Sequence, residues 1–341
     1  MSESNTSSGR QKFSRPKQSG MTLVEIMISL LIGAILLGGV LQIFISTKQT
    51  YRMQEGLSRL QENARFAMEF LTFDIRMAGY QGCPSINTLS PKIIAEPAPT
   101  FLVGGQFMAV NGANDVAENW STAACANQCI AGTDTIAIML GENCGGQLTG
   151  NMGAVNANIQ INEPNTCKIK AGYAVLISDC KSADLFRATT ASSGSGKQTI
   201  AHSQSNNTSN FLSTAYQSDA EIFSLRSTTY YLRTGTGGQP ALWRLDNSLI
   251  DKKIYDNTIV DEPIELVEGI DDMQITYGLD TDADGNADRY ISADLVTNWN
   301  NAVSVRITVS ARTLDGNLTS TGDGRLRRTM TTTVALRNKL R

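Results

Sequence analysis

Residues 20–45 read GMTLVEIMISLLIGAILLGGVLQIFI and form a continuous apolar stretch near the start of the 341-residue chain. Within it, only Glu25 and Gln42 carry strongly polar side chains. A helix of 25 residues is about 37 Å long, which is enough to cross the hydrocarbon core of a membrane. The sequence therefore predicts a transmembrane helix over residues 21–45.

The residues before this stretch, 1–20, are polar and carry four basic side chains against one acidic side chain. By the positive-inside rule, this charge predicts a cytoplasmic N-terminus and a periplasmic C-terminal part. An ordinary secretory signal would have a small-residue cleavage site after the apolar stretch. We find none there, because a helical pattern continues after Ile45.

The helical pattern continues far beyond the apolar stretch. No proline occurs between Met21 and Tyr80, whereas Gly79 and Pro84 provide stop signals. Apolar residues recur in steps of three or four at Leu57, Leu60, Ala64, Ala67, Leu71, Ile75 and Ala78. The pattern predicts one stem helix over residues 21–80 with an amphipathic second half. The alternative is a single-pass anchor followed by a coiled stalk.

Region 81–186 is predicted to be a disulfide-rich loop region. It contains all six cysteines of the chain, which are Cys83, Cys125, Cys129, Cys144, Cys167 and Cys180. Disulfides are expected in an oxidising compartment, although six cysteines allow 15 pairings. Zinc is the competing use, but the spacing is irregular and lacks paired CxxC motifs.

Residues 187–215 are rich in Ser, Asn and Gly, which predicts a linker or a long surface loop. The only histidine of the chain, His202, lies in this segment and is expected to be solvated. A single histidine argues against most histidine-dependent acid–base, triad and zinc chemistry. No motif places a nucleophile beside a base, so we expect no enzymatic activity.

Residues 216–341 are predicted to form an antiparallel sheet region. Apolar and polar residues alternate strictly from Val303 to Ser310, and a similar alternation runs from Thr329 to Leu336. This period of two indicates strands with one buried face. Met273, Ile275 and Tyr277 form a shorter set. We expect an α+β fold in which the sheet packs on the outer half of the stem helix.

The loop 280–288, DTDADGNAD, matches the start of an EF-hand-type calcium loop. Alternate carboxylates can converge on one hard cation, and Gly285 permits the tight turn. The predicted ligands are Asp280, Asp282, Asp284, Asn286 and Asp288. Ile291 stands where a bidentate glutamate is expected, which predicts weak affinity, on the order of 10⁻⁴–10⁻³ M. The alternative is a solvated acidic turn.

Residues 20–25, Gly-Met-Thr-Leu-Val-Glu, resemble the cleavage motif of type IV prepilins, in which a basic leader is removed and the apolar helix is retained. The resemblance implies cleavage between Gly20 and Met21 and N-methylation of Met21. It also implies that Glu25 pairs with the new α-amine during assembly. The alternative is an incidental acid near the membrane edge. Met21 departs from the phenylalanine that is usual in the family.

Residues 70–83, 267–278 and 299–303 resemble segments of the PilW family of type IV pilus assembly proteins, which are minor pilins. This resemblance implies a type IV pilin-like fold and a role in priming the filament, at or near its tip. The implied partners are other minor pilins, a tip adhesin, the major pilin, the prepilin peptidase and the inner-membrane assembly platform. The implied location is the inner membrane and then the extracellular pilus.

The charge of the chain bears on the remaining alternatives. Loss of residues 1–20 removes four basic residues and one acidic residue, which changes the formal net charge from −3 to −6. An acidic chain is not expected to bind nucleic acid directly. A pseudopilin of a type II secretion system shares the leader and the stem and remains the main alternative. A membrane-anchored periplasmic enzyme is a remote one.

Overall fold

The computed structural model describes residues 20–82, 90–319 and 322–339. The chain forms two compact units, residues 1–54 and 55–341. The described part of the first unit is almost entirely helical, in the first half of α1 (Leu23–Met77), and its side chains are exposed. The helix α1 is long and apolar enough to cross a membrane.

The second unit contains the rest of α1, two short helices and fifteen strands among its described residues. The further elements are β1 (Lys92–Ile93), β2 (Val110–Val116), α2 (Thr122–Cys125), β3 (Thr133–Gln147), β4 (Ile159–Asn162), β5 (Ala174–Ser178), β6 (Ala183–Arg187), β7 (Thr190–Gly194), β8 (Lys197–Ala201), β9 (Glu221–Thr234), β10 (Pro240–Asp246), α3 (Asn247–Lys253), β11 (Ile264–Glu268), β12 (Ile270–Leu279), β13 (Arg289–Ile291), β14 (Ala302–Arg312) and β15 (Arg327–Ala335).

The strands form three sheets of eight, four and three strands. In the largest sheet, β9 pairs with β3 along one edge and with β5 and then β10 along the other. The four-stranded sheet has the order β13-β12-β14-β15, and the three-stranded sheet has the order β4-β8-β7. The pairing between β1 and β6 is parallel, and the other strand pairs of the described residues are antiparallel.

The predicted alternation of β14 is confirmed. Val305, Ile307 and Val309 are fully buried, whereas Arg306 on the opposite face is exposed. In register, Ile307 lies opposite Ile275 of β12 and opposite Thr332 of β15. The antiparallel sheet expected for the last part of the chain is therefore present.

The second half of α1 packs into the largest hydrophobic core of the unit. Its buried residues are Leu60, Ala64, Ala67, Leu71, Asp74, Ile75 and, just after the helix, Ala78. The same core contains residues of both larger sheets, such as Leu225 of β9 and Ile307 of β14. Each buried leucine or isoleucine contributes about 1.5–3 kcal/mol of transfer free energy. This packing confirms the α+β fold class predicted from the sequence.

The end of α1 is bonded directly to the largest sheet. Gly79 adopts a φ of 75°, the left-handed conformation that favours glycine after a helix. Its N–H donates to the Met139 carbonyl (2.7 Å), and the Gly141 N–H donates to the Tyr80 carbonyl (2.6 Å). The Asn338 side chain donates to the Ala78 carbonyl (3.1 Å). The chain therefore passes from helix to sheet without a linker.

Two disulfides join described cysteines. Cys125 pairs with Cys129, and Cys144 pairs with Cys167. Cys180 is also disulfide-bonded, and the described part of the chain contains no free cysteine. The prediction for Cys83 lies outside the described residues. The cysteines therefore serve as disulfides rather than as zinc ligands in this part of the protein.

The structure differs from the loop and linker predictions for the middle of the chain. Region 81–186 contains β1 to β5 and most of β6 in its described part, and segment 187–215 contains β7 and β8. His202 is 3% exposed rather than solvated, and its Nε2 lies 2.9 Å from the Ala157 carbonyl oxygen. Its ring lies against Phe186, with centroids 5.4 Å apart. This segment is therefore part of a second core.

We expect Leu71→Ala to lower the free energy of unfolding by about 2–5 kcal/mol, because it leaves a cavity in the core below α1. Denaturant unfolding of the full chain in detergent measures this change. Gln61→Ala, on the exposed face of the same helix, is the control and should change stability by less than about 0.5 kcal/mol. Equal effects of the two substitutions would contradict the packing described for α1.

Candidate functional site

The first turn of α1 carries a reciprocal pair of hydrogen bonds inside the N-terminal motif. The Glu25 N–H donates to Thr22 Oγ1 (3.3 Å), and the Thr22 N–H donates to Glu25 Oε2 (3.4 Å). This is a capping box, which satisfies two N–H groups that a helix start otherwise leaves without partners. The helix therefore begins immediately after the predicted cleavage position.

The predicted cleavage position is accessible. Gly20 is exposed, and Met21 is 67% exposed. A Cβ added at Gly20 would meet no atom of the described residues within 4 Å, so packing does not require a glycine there. The predicted role of Gly20 in cleavage therefore rests on the motif. The basic leader, residues 1–19, lies outside the described residues.

Asp74 places a carboxylate on the buried face of α1, where it is 4% exposed. Its Oδ2 accepts hydrogen bonds from the Tyr230 hydroxyl (2.7 Å) and from Arg226 (3.0 Å), both in β9. Arg226 also donates to Glu142 of β3 (3.1 Å). This network joins the helix to the central strand of the largest sheet.

The pKa values of two groups in this network, Arg226 and Tyr230, are raised. Burial lowers the pKa of Arg226, but the charges of Asp74 and Glu142 outweigh it and raise the pKa overall. Burial, followed by the charge and hydrogen bond of Asp74, raises the pKa of the Tyr230 hydroxyl. Arg226 is therefore charged, and the Tyr230 hydroxyl is neutral, at neutral pH.

Sequence reasoning did not identify Asp74 as an anchor. The feature that could have indicated this role is its position, because Asp74 lies three residues after Leu71 on the apolar face of the helix. A carboxylate on a buried face requires a partner, since burying an unpaired charge is costly. The partners are 152 and 156 residues away in sequence, so the pattern alone does not reveal them.

The acidic loop connects β12 to β13 and brings part of the predicted ligand set together. Oxygen atoms of Asp280, Asp282 and Asp288 lie within 4.8 Å of one another. Asp280 also accepts backbone hydrogen bonds from Ala283 (2.6 Å) and Gly285 (2.8 Å), which close the turn. Gly285 has a φ of 89°, as the predicted tight turn requires.

One predicted side-chain ligand, Asp284, is directed elsewhere, whereas the predicted ligand atom of Asn286 is its backbone carbonyl oxygen. Asp284 is not part of the converging group, and its Oδ1 accepts a hydrogen bond from the Asn286 backbone (2.7 Å). The Asn286 amide donates to the other oxygen of Asp284 (3.1 Å). These two residues therefore stabilise the turn of the loop in this structure.

The converging oxygens fit a hard cation. Hydrogen bonds from the Thr281 hydroxyl and N–H lower the pKa of Asp288, so its carboxylate is charged at neutral pH. Calcium binds oxygen at about 2.3–2.6 Å, so its ligands lie at most about 5 Å apart. The three carboxylates meet this limit, and water would supply the remaining ligands.

Two family models match the chain. Residues 229–338 match the family described as Type IV Pilus-assembly protein W, and residues 15–41 match the Prokaryotic N-terminal methylation motif. The first match begins inside β9 and includes Tyr230 and the acidic loop. No curated protein and no solved structure gives a significant match.

These matches confirm the resemblance to the PilW family and to prepilins. They support a pilin-like protein related to the type IV pilus, and a membrane anchor agrees with the apolar half of α1. Neither family is an enzyme family. A pilin-type motif implies prepilin processing and interaction with other pilus components.

We expect Gly20→Val to block removal of the leader, because a branched side chain occupies the position where the motif has none. The chain should then remain about 20 residues longer, as measured by intact mass after expression in the source bacterium. Gly9→Val, the same change inside the leader, is the control and should be processed. Normal processing of Gly20→Val would contradict the cleavage position.

Proposed function

We propose that this protein is a minor pilin of a type IV pilus that helps to initiate the filament and lies at its tip. The observation that carries the proposal is the continuity of α1. The methylation motif includes the start of this helix. The other end of the same helix is buried in the second unit, Glu55–Arg341, which we call the head and which contains the PilW match. One chain thus combines a filament stem with the head of an assembly protein.

The disulfides support a periplasmic position for the head. Cys125–Cys129 and Cys144–Cys167 are stable in an oxidising compartment and rare in the cytoplasm. The excess of basic residues before the apolar stretch favours an N-terminus on the cytoplasmic side. The protein then crosses the inner membrane once and enters the pilus after cleavage by the prepilin peptidase.

In this proposal, Glu25 pairs with the α-amine of Met21 that cleavage creates, in the same subunit or in a neighbouring subunit. An unpaired carboxylate inside a membrane is costly, so the pairing favours insertion beside another stem. The capping box holds Glu25 close to the cut end of the helix. Cleavage therefore creates the α-amine with which Glu25 pairs, and this pair sets the register of one stem against the next.

The size of the head favours a place at the tip. The second unit contains 287 residues, from Glu55 to Arg341, and a head of this size suits a filament end better than a repeated lateral position. Its partners would be other minor pilins and a tip adhesin above, and the major pilin below. The inner-membrane assembly platform would add it to the filament. The protein performs no covalent chemistry in this role.

We propose in addition that the acidic loop binds Ca²⁺ through Asp280, Asp282 and Asp288. The support is the convergence of three carboxylate oxygens, one from each residue. Hydrogen bonds within the loop hold two of these carboxylates, those of Asp280 and Asp288, in place. A bound cation would screen the mutual repulsion of the carboxylates and tighten the hairpin between β12 and β13. The proposed role is therefore structural.

We expect a clean deletion of the gene in the source bacterium to abolish or strongly reduce surface pili and to leave type II secretion intact. Complementation with the wild-type chain should restore piliation, whereas Glu25→Ala should insert in the membrane but restore few pili. Glu62→Ala, an exposed acid further along α1, is the matched control and should restore piliation. Sheared-pilus yield and secreted enzyme activity are the two measurements.

Two results would contradict this proposal in different ways. Normal pili with lost secretion would make the protein a type II secretion pseudopilin and would leave the stem assignment intact. Full piliation by the Glu25→Ala chain would remove the pairing role of the glutamate while leaving the minor-pilin assignment.

For the acidic loop, we expect about 10 mM Ca²⁺ to stabilise the full chain in detergent by about 1–3 kcal/mol, given a dissociation constant on the order of 10⁻⁴–10⁻³ M. Thermal unfolding with and without the ion measures this. Asp282→Asn should remove the effect, because it weakens a converging ligand but makes only one long hydrogen bond in the turn (3.2 Å). Asp284→Asn is the matched control and should still be stabilised by calcium. If calcium does not stabilise the wild-type chain, the loop is an acidic turn without a calcium site.

A further inference from the structure

A groove with an aromatic wall runs between the second half of α1 and the largest sheet. Its volume is about 480 Å³. The residues that define it are Phe66, Phe70 and Phe73 of α1 and Arg226, Tyr230 and Arg244 of β9 and β10. We refer to it as the aromatic groove.

The aromatic wall is solvent-exposed. Phe66, Phe70 and Phe73 are 41%, 39% and 65% exposed. Steps of four and three residues place them on one face of the helix, beside the face that is buried in the core. Three neighbouring phenylalanines are unusual on a protein surface that has no partner, and such patches commonly mark interaction sites. The aromatic wall therefore indicates an interface.

The opposite wall presents a cation without a counter-ion. Arg226 is neutralised by Asp74 and Glu142. The side chain of Arg244 is half-buried, yet its guanidinium forms no hydrogen bond or ion pair with any residue that the structure describes. A guanidinium has five N–H donors and is costly to shield from water without acceptors. Arg244 thus lacks a carboxylate partner within this chain's described residues.

The surface beside Arg244 continues to the edge of the sheet. In register, Arg244 lies opposite Tyr230 on one side and opposite Ile264 of β11 on the other. Ile264 is 51% exposed, and β11 is the last strand of the order at that end of the sheet. Exposed apolar surface therefore lies beside the cation on the β11 side.

We propose that the aromatic groove binds a segment of a neighbouring pilus protein that presents an apolar side chain beside a carboxylate. The apolar side chain packs on Phe70 and Phe73, and the carboxylate pairs with Arg244 in the bidentate geometry that guanidinium groups favour. This proposal rests on the proposed function, because it assigns the partner surface of the head of a pilin.

The groove contains acidic groups as well as basic groups. Glu69 also lines the groove, and the carboxylate of Asp74 is already satisfied by Arg226 and Tyr230. One side-chain carboxylate of a partner matches the one guanidinium of the groove that lacks a counter-ion. Arg244 therefore indicates a partner with one acidic residue at this point.

The test places the photo-cross-linking residue benzoylphenylalanine at position 73 of the full chain in the source bacterium. We expect a cross-linked peptide from another pilus protein, mapped by mass spectrometry to a segment that contains Asp or Glu. The same probe at Phe211, which is 52% exposed and outside the groove, is the control and should give about tenfold less of this product. Adducts only with lipid or with a second copy of this chain would overturn the proposal.

Charge exchange tests the role of Arg244. Arg244→Glu should lower the yield of the cross-linked product about tenfold, which is typical for loss of a central arginine contact. Lys197→Glu, an exposed charge reversal in β8, should not lower it. Replacing the mapped carboxylate of the partner by lysine should restore the product with Arg244→Glu. Arg244→Gln is a second variant that adds no acid beside Asp74 and should also lower the yield.

The outcomes separate this proposal from the proposed function. Full yield in both Arg244 variants, or no rescue by the exchanged charge, would overturn the groove as a docking site. If the deletion strain still loses its pili, the minor-pilin assignment stands in that case. Normal pili in the deletion strain would remove the proposed function, whatever the cross-linking result.

Discussion

The second half of α1 is the element on which the rest of the head depends. Its buried face, from Leu60 to Ala78, lies in one core with residues from both the eight-stranded and the four-stranded sheet. A sheet needs a second apolar layer to bury its face, and here one helix contributes to that layer for two sheets. Asp74 adds a directional contact, because its bonds to Tyr230 and Arg226 fix the helix against β9.

The helix carries three kinds of chemistry along its length. Its start is a capping box in a processing motif, its first half is apolar on all sides, and its second half divides between a buried face and an aromatic face. Each kind serves a different environment: the peptidase, the membrane and the head with its neighbours. The proposed minor-pilin role requires all three in one continuous element.

How far the sequence predicted this structure depends on where the partners of each residue lie. The period of two in β14 predicted its strand, because one face is apolar and the other polar. β5 and β6 are buried on both faces, so apolar and polar residues do not alternate along them. The sequence pattern therefore predicts loops where the structure has these two strands. The buried charge of Arg187 is paired with Asp251, which is 64 residues away in sequence and which no local pattern reveals. In the acidic loop, the motif predicted a set of ligands, but it did not reveal the bonds between Asp284 and Asn286.

The direct bonding of the helix end to the sheet has a mechanical consequence. A pulled filament transmits tension from one stem to the next, and a flexible linker would let the head trail behind. Here the chain leaves α1 at Gly79 and immediately exchanges backbone hydrogen bonds with β3 at Met139 and Gly141. Tension on the stem therefore loads several bonds of the sheet together, in addition to the anchor at Asp74. In the proposed function, force that reaches the second half of α1 passes into β3 and β9 of the same unit through these bonds.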